Sequence, residues 1–355
     1  MSTSAFPPLT VDHVMNCSFS SWYPKFRRVT LKSEIIAIPP EFIAYLNEDG
    51  VFLPLDSNGM PQPSYETPKV DDSDDDNGDF SEDEEGGESW GSIPHFPEFQ
   101  ELITQRIESL GGEVFPKLNW SSPKDASWMA LGQTLKCKTP ADIFLLLKSS
   151  DFITHDLTCP FEACTETLDA STKQTPESYE LILRKWYDLH PSMEFRCFVK
   201  DNVLIGICQR DHLNFYPFLV TSRVQLESAI KAFYVDEILG KFGNNSFVFD
   251  LYINKNNQKV WLIDFNPFSI NTDSLLFTWD ELIAFEVPTQ EGPVENCAGM
   301  GLRVVSTPSD SGLTYQPMYA TNRMPKDAVD LSDGQTLAEF AQQLTEEVAR
   351  SMIKE

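Results

Sequence analysis

The stretch FVFDLYINKNNQKVWLIDFNPF, residues 247–268, sets Asp250, Asp264 and Asn266 inside two runs otherwise built of Phe, Val, Leu, Ile and Trp. Runs of that composition around a polar NKNNQ segment predict a hairpin of two buried strands. A buried ionised carboxylate costs several kcal/mol unless a partner compensates it. Whatever fold the chain adopts must therefore bring cations or a metal ion to these acids. Side chains alternate along a strand, so Asp264 and Asn266 share a face, with Cα atoms about 6.6–7 Å apart. A five-residue turn over residues 254–258 would pair Ile253 with Lys259 and set Asp250 opposite Leu262, diagonal to Asp264. All three oxygen-bearing side chains then share one face.

Two arrangements satisfy that face. Carboxylates on neighbouring strands repel each other unless a cation lies between them, and a hard divalent ion prefers oxygen ligands. Magnesium keeps several waters and takes one or two protein carboxylates with substrate phosphates, so the constellation fits an Mg-nucleotide site. Alternatively, Asp250 and Asp264 are salt-bridged to nearby Arg and Lys. Cations are dense here. LRKWYDLHPSMEFRCFVKDNVLIGICQRD carries Arg184, Lys185, Arg196 and Arg210, and Lys117 interrupts EVFPKLNW. Any one of them reads as a long side chain snorkelling to the surface. With the carboxylate pair they match the needs of a triphosphate: cations for the phosphate oxygens, Mg2+ for neutralisation, and an aromatic such as Trp186 beside an apolar slot for a base.

At 355 residues and 41% hydrophobic composition, the chain can bury a large core divided into two or more lobes. No apolar run approaches the ~18 residues of a membrane span, and MSTSAFPPLT has neither a charged n-region nor an h-region, so a cytoplasmic protein that does not engage membranes is expected. Seven cysteines, with Cys197 and Cys208 in strand-like runs, fit reduced thiols. Cys159 and Cys164 with His155 lack the second paired cluster of a zinc site. The net charge of −27 is concentrated: eleven acids and no basic residue fall between Asp71 and Glu88. Such a segment is expected to be disordered, with Ser73 and Ser81 as acidophilic phosphorylation candidates. Charge of this sign also argues against direct nucleic-acid binding.

Along the chain, residues 1–68 form an N-terminal segment whose SEIIAIPPEFIAYLNEDGVFLPL reads as short extended runs, packing on the first lobe. The acidic insertion covers 69–92. In 93–178, Phe99, Leu102, Ile103, Ile107 and Leu110 recur at helical spacing between Pro97 and Gly111, GGEVFPKLNW contributes a strand, and Thr139, Pro140 and Asp142 start a second helix. In 179–300 the runs YELILRKWY, MEFRCFV and NVLIGIC precede a helix from Ser222 to Leu239 and the hairpin. Residues 301–355 end in LAEFAQQLTEEVARSMI, an amphipathic helix. This order predicts an α+β fold rather than a doubly wound sheet.

The ordered set EFRCFV, NVLIGICQR, a helix, FVFDLYI and WLIDFNP resembles the second lobe of ATP-grasp proteins. The blocks NCSFSSWYPKFRRVTLKSEIIAIP, GGEVFPKLNWSSPKDASWM, LILRKWYDLHPSMEFRCFVKDN and WLIDFNPF are similar to those of the cell division cycle protein 123 family, from about residue 10 to about residue 335. That resemblance implies an ATP-grasp-like fold of two lobes enclosing an Mg-ATP site, in a monomeric assembly chaperone. Its implied partner is the gamma subunit of eukaryotic translation initiation factor two, linking it to translation initiation and the cell cycle. Carried over, Asp250, Asp264 and Asn266 would hold Mg2+. Lys117 would reach the phosphates, Arg184, Lys185 and Trp186 would lie along the ATP, and Arg196 and Arg210 would neutralise the phosphate tail. The usual glycine-rich flap is replaced by NWSSPKDASW, and Asp264 stands where Glu is common. An open site exposes acylphosphate chemistry to water, which favours a chaperone over the alternative, an ATP-dependent carboxylate ligase.

Overall fold

β-branched and aromatic runs bounded by turn residues become strands throughout the second half of the chain. The computed structural model describes residues 6–60, 93–165, 175–255, 258–287, 297 and 299–307. Among these, β1 (Ser33–Ala37), β2 (Val114–Lys117) and β3 (Glu180–Lys185) form an antiparallel sheet in the order β1-β3-β2. A second sheet, in the order β7-β6-β4-β5-β8, comprises β4 (Glu194–Lys200), β5 (Val203–Gln209), β6 (Phe247–Ile253), β7 (Val260–Pro267) and β8 (Leu302–Arg303). Only its β5–β8 pairing is parallel. Mostly antiparallel sheets packed with helices agree with an α+β fold.

The first sheet turns Leu181 and Leu183 toward a core shared with the helices Pro40–Asn47, Pro97–Leu110 and Pro140–Lys148. The last two begin where their sequences predict. Pro97 and Pro140 occupy first-turn positions, Thr139 and Asp142 form a reciprocal capping box, and Gly111 takes the left-handed φ of 101° that ends its helix. One face of the second sheet, carrying Cys197, Phe249 and Leu251, packs on the helices Phe19–Phe26 and Arg223–Phe233. Part of the opposite face, with Phe198 and Val248, is covered by Phe277 and the helix Trp279–Ala284. The remainder of that face is charged.

Three expectations change. PEFIAYLN is a helix, Pro40–Asn47, because Pro40 opens it and Phe42, Tyr45 and Leu46 fall on one buried side. β3, placed by sequence in the lobe 179–300, pairs at the centre of the first sheet, so the divide follows Lys185. The segment 1–68 is likewise shared: β1 joins the first sheet, whereas the helix Phe19–Phe26 packs on the second. The sheets meet at a parallel bridge between Thr30 and Leu262, reinforced by Leu262 N–H donating to the Val29 carbonyl at 2.7 Å.

The cysteines are free thiols. No helix among the described residues is long and apolar enough to cross a membrane. The acidic insertion, Ser73 and Ser81, and the terminal LAEFAQQLTEEVARSMI lie outside the described residues.

Candidate functional site

The hairpin register differs from the expected one. Ile253 pairs with Val260, not Lys259, and a bulge between Asp250 and Leu251 shifts the ladder by one more residue. Asp250 therefore stands directly opposite Asp264 instead of Leu262. The extra residue is Ile263, and a tertiary contact holds it: Arg184 Nη1 donates to its carbonyl at 2.7 Å. Asn266 follows on the same face opposite Val248. On the next strand Arg196 pairs with Asp250, giving a row Arg196, Asp250, Asp264 across three strands.

Two facing carboxylates on adjacent strands need compensation, and the surroundings supply it from both sides. Arg196 donates Nε and Nη2 to the two Asp250 oxygens, each at 2.8 Å, and Arg210 Nε adds a third contact at 3.2 Å. Burial alone would raise the Asp250 carboxyl, but the two guanidiniums outweigh it and hold the acid well below the usual carboxylate range. Conversely, burial would lower Arg196, and Asp250 more than reverses that. Asp264 is paired from the first sheet: Lys117, 1% exposed, places Nζ 2.5 Å from Asp264 Oδ2 and also donates to the Trp120 carbonyl. The salt-bridged arrangement is thus present.

The segment after Lys117 is fastened by two buried acids. Asp156 accepts from Ser121 N–H and Oγ at 2.8 and 2.9 Å, and Asp125 accepts from Ser150 Oγ at 2.5 Å. Burial pushes the Asp156 carboxyl up to about 6, against the opposing pull of the Ser121 donors. Within this segment Lys124 is exposed, and the charges of Arg210, Glu194, Asp250 and Asp264 act on its ammonium. Arg210 is the main cause that lowers the Lys124 ammonium, to about 8.

Of the residues expected at the site, Lys117, Arg196, Arg210, Asp250, Asp264 and Asn266 come together. Arg184 reaches the cluster only through Ile263. Its guanidinium is 1% exposed, lies 5.3 and 5.4 Å from the Phe19 and Phe115 rings, and also donates to Thr30. Burial lowers it to about 10. Trp186 stands edge-on to Phe115, centroids 6.3 Å apart. Lys185 points to the other face of β3, beside Gly111 and 5.9 Å from the Tyr187 ring, so its ammonium does not join the cluster. Sequence reasoning missed Lys124 and Glu194. Lys124 lies in the NWSSPKDASW block, and Glu194 begins MEFRCFV.

Chemically, the row offers hard oxygen donors at Asp264 and Asn266, both half-buried, whereas Asp250 is buried. A carboxylate has about four lone-pair sites, and the arginines use three at Asp250. Oxygen donors flanked by guanidinium and ammonium groups fit a metal-chelated polyphosphate.

The D123 family model matches residues 22–332. A Xenopus tropicalis protein described as "Translation initiation factor eIF2 assembly protein" is 43% identical over 328 residues, spanning 91% of this chain and 93% of its own length. An Aspergillus terreus protein, "Cell division cycle protein 123", is 44% identical over 308 residues, covering 84% of this chain and 70% of its own. The solved structure of Cdc123 from Schizosaccharomyces pombe superposes with a TM-score of 0.65 at 37% identity, over 85% of this chain and all of that one. The chain belongs to the D123 family, the cell division cycle protein 123 family that its sequence blocks resemble.

Proposed function

We propose that the chain is an assembly chaperone of translation initiation factor eIF2, with an ATP-grasp-like architecture that binds Mg-ATP at the Asp250–Asp264 row and docks the gamma subunit of the factor. The observation that carries the assembly role is the near end-to-end likeness to a protein described as an eIF2 assembly protein. The nucleotide part is supported by the charged row. Asp264 and Asn266 supply oxygen ligands for the metal, with Asp250 behind them, while Lys117, Arg196 and Arg210 face the phosphates. Bound magnesium would neutralise phosphate charge. The chain's own residues orient the polyphosphate over the junction of the sheets.

Docking of the gamma subunit requires exposed groups. In SSWYPKFRR, Trp22, Tyr23 and Phe26 belong to the core, which removes them from the candidate interface. Lys25, Arg27 and Arg28 remain exposed. Their neighbourhood suits a releasable contact, because a chaperone must let its client go and an obligate apolar interface would not. Replacing Arg27 and Arg28 with Ala should weaken capture of the purified gamma subunit while leaving the melting temperature and Mg-ATP binding unchanged, since both side chains lie at the surface. Undiminished capture by the folded double variant would move the docking surface elsewhere. In the same preparation, ADP release stimulated by a carboxylate acceptor would favour a ligase instead.

A further inference from the structure

We infer that His155, Cys159 and Glu162 form a binding site for one borderline-soft divalent cation, zinc by preference. The site occupies the end of the helix Asp151–Thr158 and the turn that follows it, and shares no residue with the row of Asp250 and Asp264. Its three donor atoms, an imidazole nitrogen, the thiol sulfur and a carboxylate oxygen, all lie within 4.8 Å of one another. His155 and Cys159 stand four residues apart on one helical face, and the Cys159 N–H closes the helix by donating to the His155 carbonyl at 2.9 Å. A turn then brings Glu162 back, its N–H donating to the Cys159 carbonyl at 3.2 Å. The sequence lacks a second paired cluster of Cys or His, and the turn supplies the third donor instead: Glu162 rather than Cys164 joins His155 and Cys159.

Imidazole, thiolate and carboxylate are the donor types that tetrahedral zinc takes, and sulfur and nitrogen disfavour the hard ions magnesium and calcium. Zinc bonds of about 2.0–2.3 Å set tetrahedral ligand atoms roughly 3.3–3.6 Å apart, so a closure of about 1 Å completes the geometry. His155 Nε2 already stands 4.0 Å from Glu162 Oε2, and both side chains are exposed, which leaves their rotamers adjustable. As an exposed ion pair at that distance the contact contributes little by itself. The backbone beneath is braced. Phe161, 3% exposed, packs with Leu9 and Val14 and stands edge-on to Trp120 at 6.0 Å. Cys164 N–H donates to the Phe161 carbonyl at 3.0 Å, and Thr165 N–H to the Leu9 carbonyl at 2.9 Å. Held by the helix on one side and by these contacts on the other, the turn keeps its donors at a set spacing, as a metal site requires. On binding, a metal–sulfur bond forms as the Cys159 S–H bond breaks, the proton passes to solvent, and water takes the fourth position.

The test titrates Zn2+ and Co2+ into the untagged full chain, with C159S, H155N, E162Q and C164S as variants. Co2+ bound through a thiolate gives a sulfur-to-metal charge-transfer band, so the spectrum reports which cysteine binds. The unaltered chain should take up one ion with that band, and C164S should do the same. C159S should lose the band. H155N and E162Q should each weaken Zn2+ at least about tenfold, the loss that even an outer partner of a metal ligand causes. Excess Mg2+ should not displace the ion. His155 and Glu162 are exposed and Cys159 is half-buried, so melting temperatures in excess chelator should match and show each variant folded. A band that persists in C159S or is lost in C164S, unchanged Zn2+ affinity in H155N or E162Q, or no band in the unaltered chain overturns the assignment.

Discussion

Replacing Arg196 with alanine should lower the unfolding free energy by about 3–5 kcal/mol, a large share of the ~5–15 kcal/mol that holds a typical protein folded. The loss arises at Asp250, which is 3% exposed and receives two of its three guanidinium contacts from Arg196. Removing that partner leaves a buried carboxylate with Arg210 alone. Replacing both members of the pair with apolar residues of similar volume should be far milder, because the buried charges are then absent rather than unpaired. Denaturant midpoints with unchanged slopes report the difference. The pH dependence has a definite sign. In the unaltered chain the folded-state acid lies below its unfolded value, so its contribution is complete at neutral pH and is lost as pH falls through the folded value. In the alanine variant, protonating Asp250 relieves the penalty, so the deficit should shrink as pH falls from 7 toward about 4. A variant within 1 kcal/mol of the unaltered chain at pH 7 would contradict this pairing.

The second large effect concerns ligand response. Asp264→Asn should abolish the stabilisation that Mg-ATP confers, ~2.7 kcal/mol at a hundredfold excess over Kd for a ligand that binds only the native state. The baseline will also move, because Lys117 is buried and loses its charged partner 2.5 Å away. The informative quantity is therefore the shift produced by Mg-ATP in each protein, measured by thermal unfolding with Mg2+ and with excess chelator. A full shift in Asp264→Asn would remove this carboxylate from the metal site.

Periodicity made much of the fold legible. The helix Pro97–Leu110 carries its proline start and glycine stop in the sequence, and the strands of residues 180–267 are visible as apolar runs. What escaped depends on contacts between distant residues. The bulge at Ile263 is held by Arg184 on the other sheet, so no local pattern could reveal that Asp250 faces Asp264. The residues of the charged row were recognisable as ionisable groups in buried runs. Their pairing was not, since a carboxylate beside cations reads the same whether it awaits a metal or already holds an arginine. The course of the segment 121–125 was hidden for a similar reason: Asp125 and Asp156 fasten it at the helix Asp151–Thr158. Trp22 and Phe26 fill the core against Phe265.

Mg-dependent binding at the row beside the sheet junction is the central claim, and titration of ATP into the full chain by calorimetry tests it most directly. The account predicts saturable binding at one site per chain, lost when magnesium is chelated and lost in Asp264→Asn. Binding that persists undiminished without magnesium, or no binding by the folded chain at millimolar ATP, would contradict it.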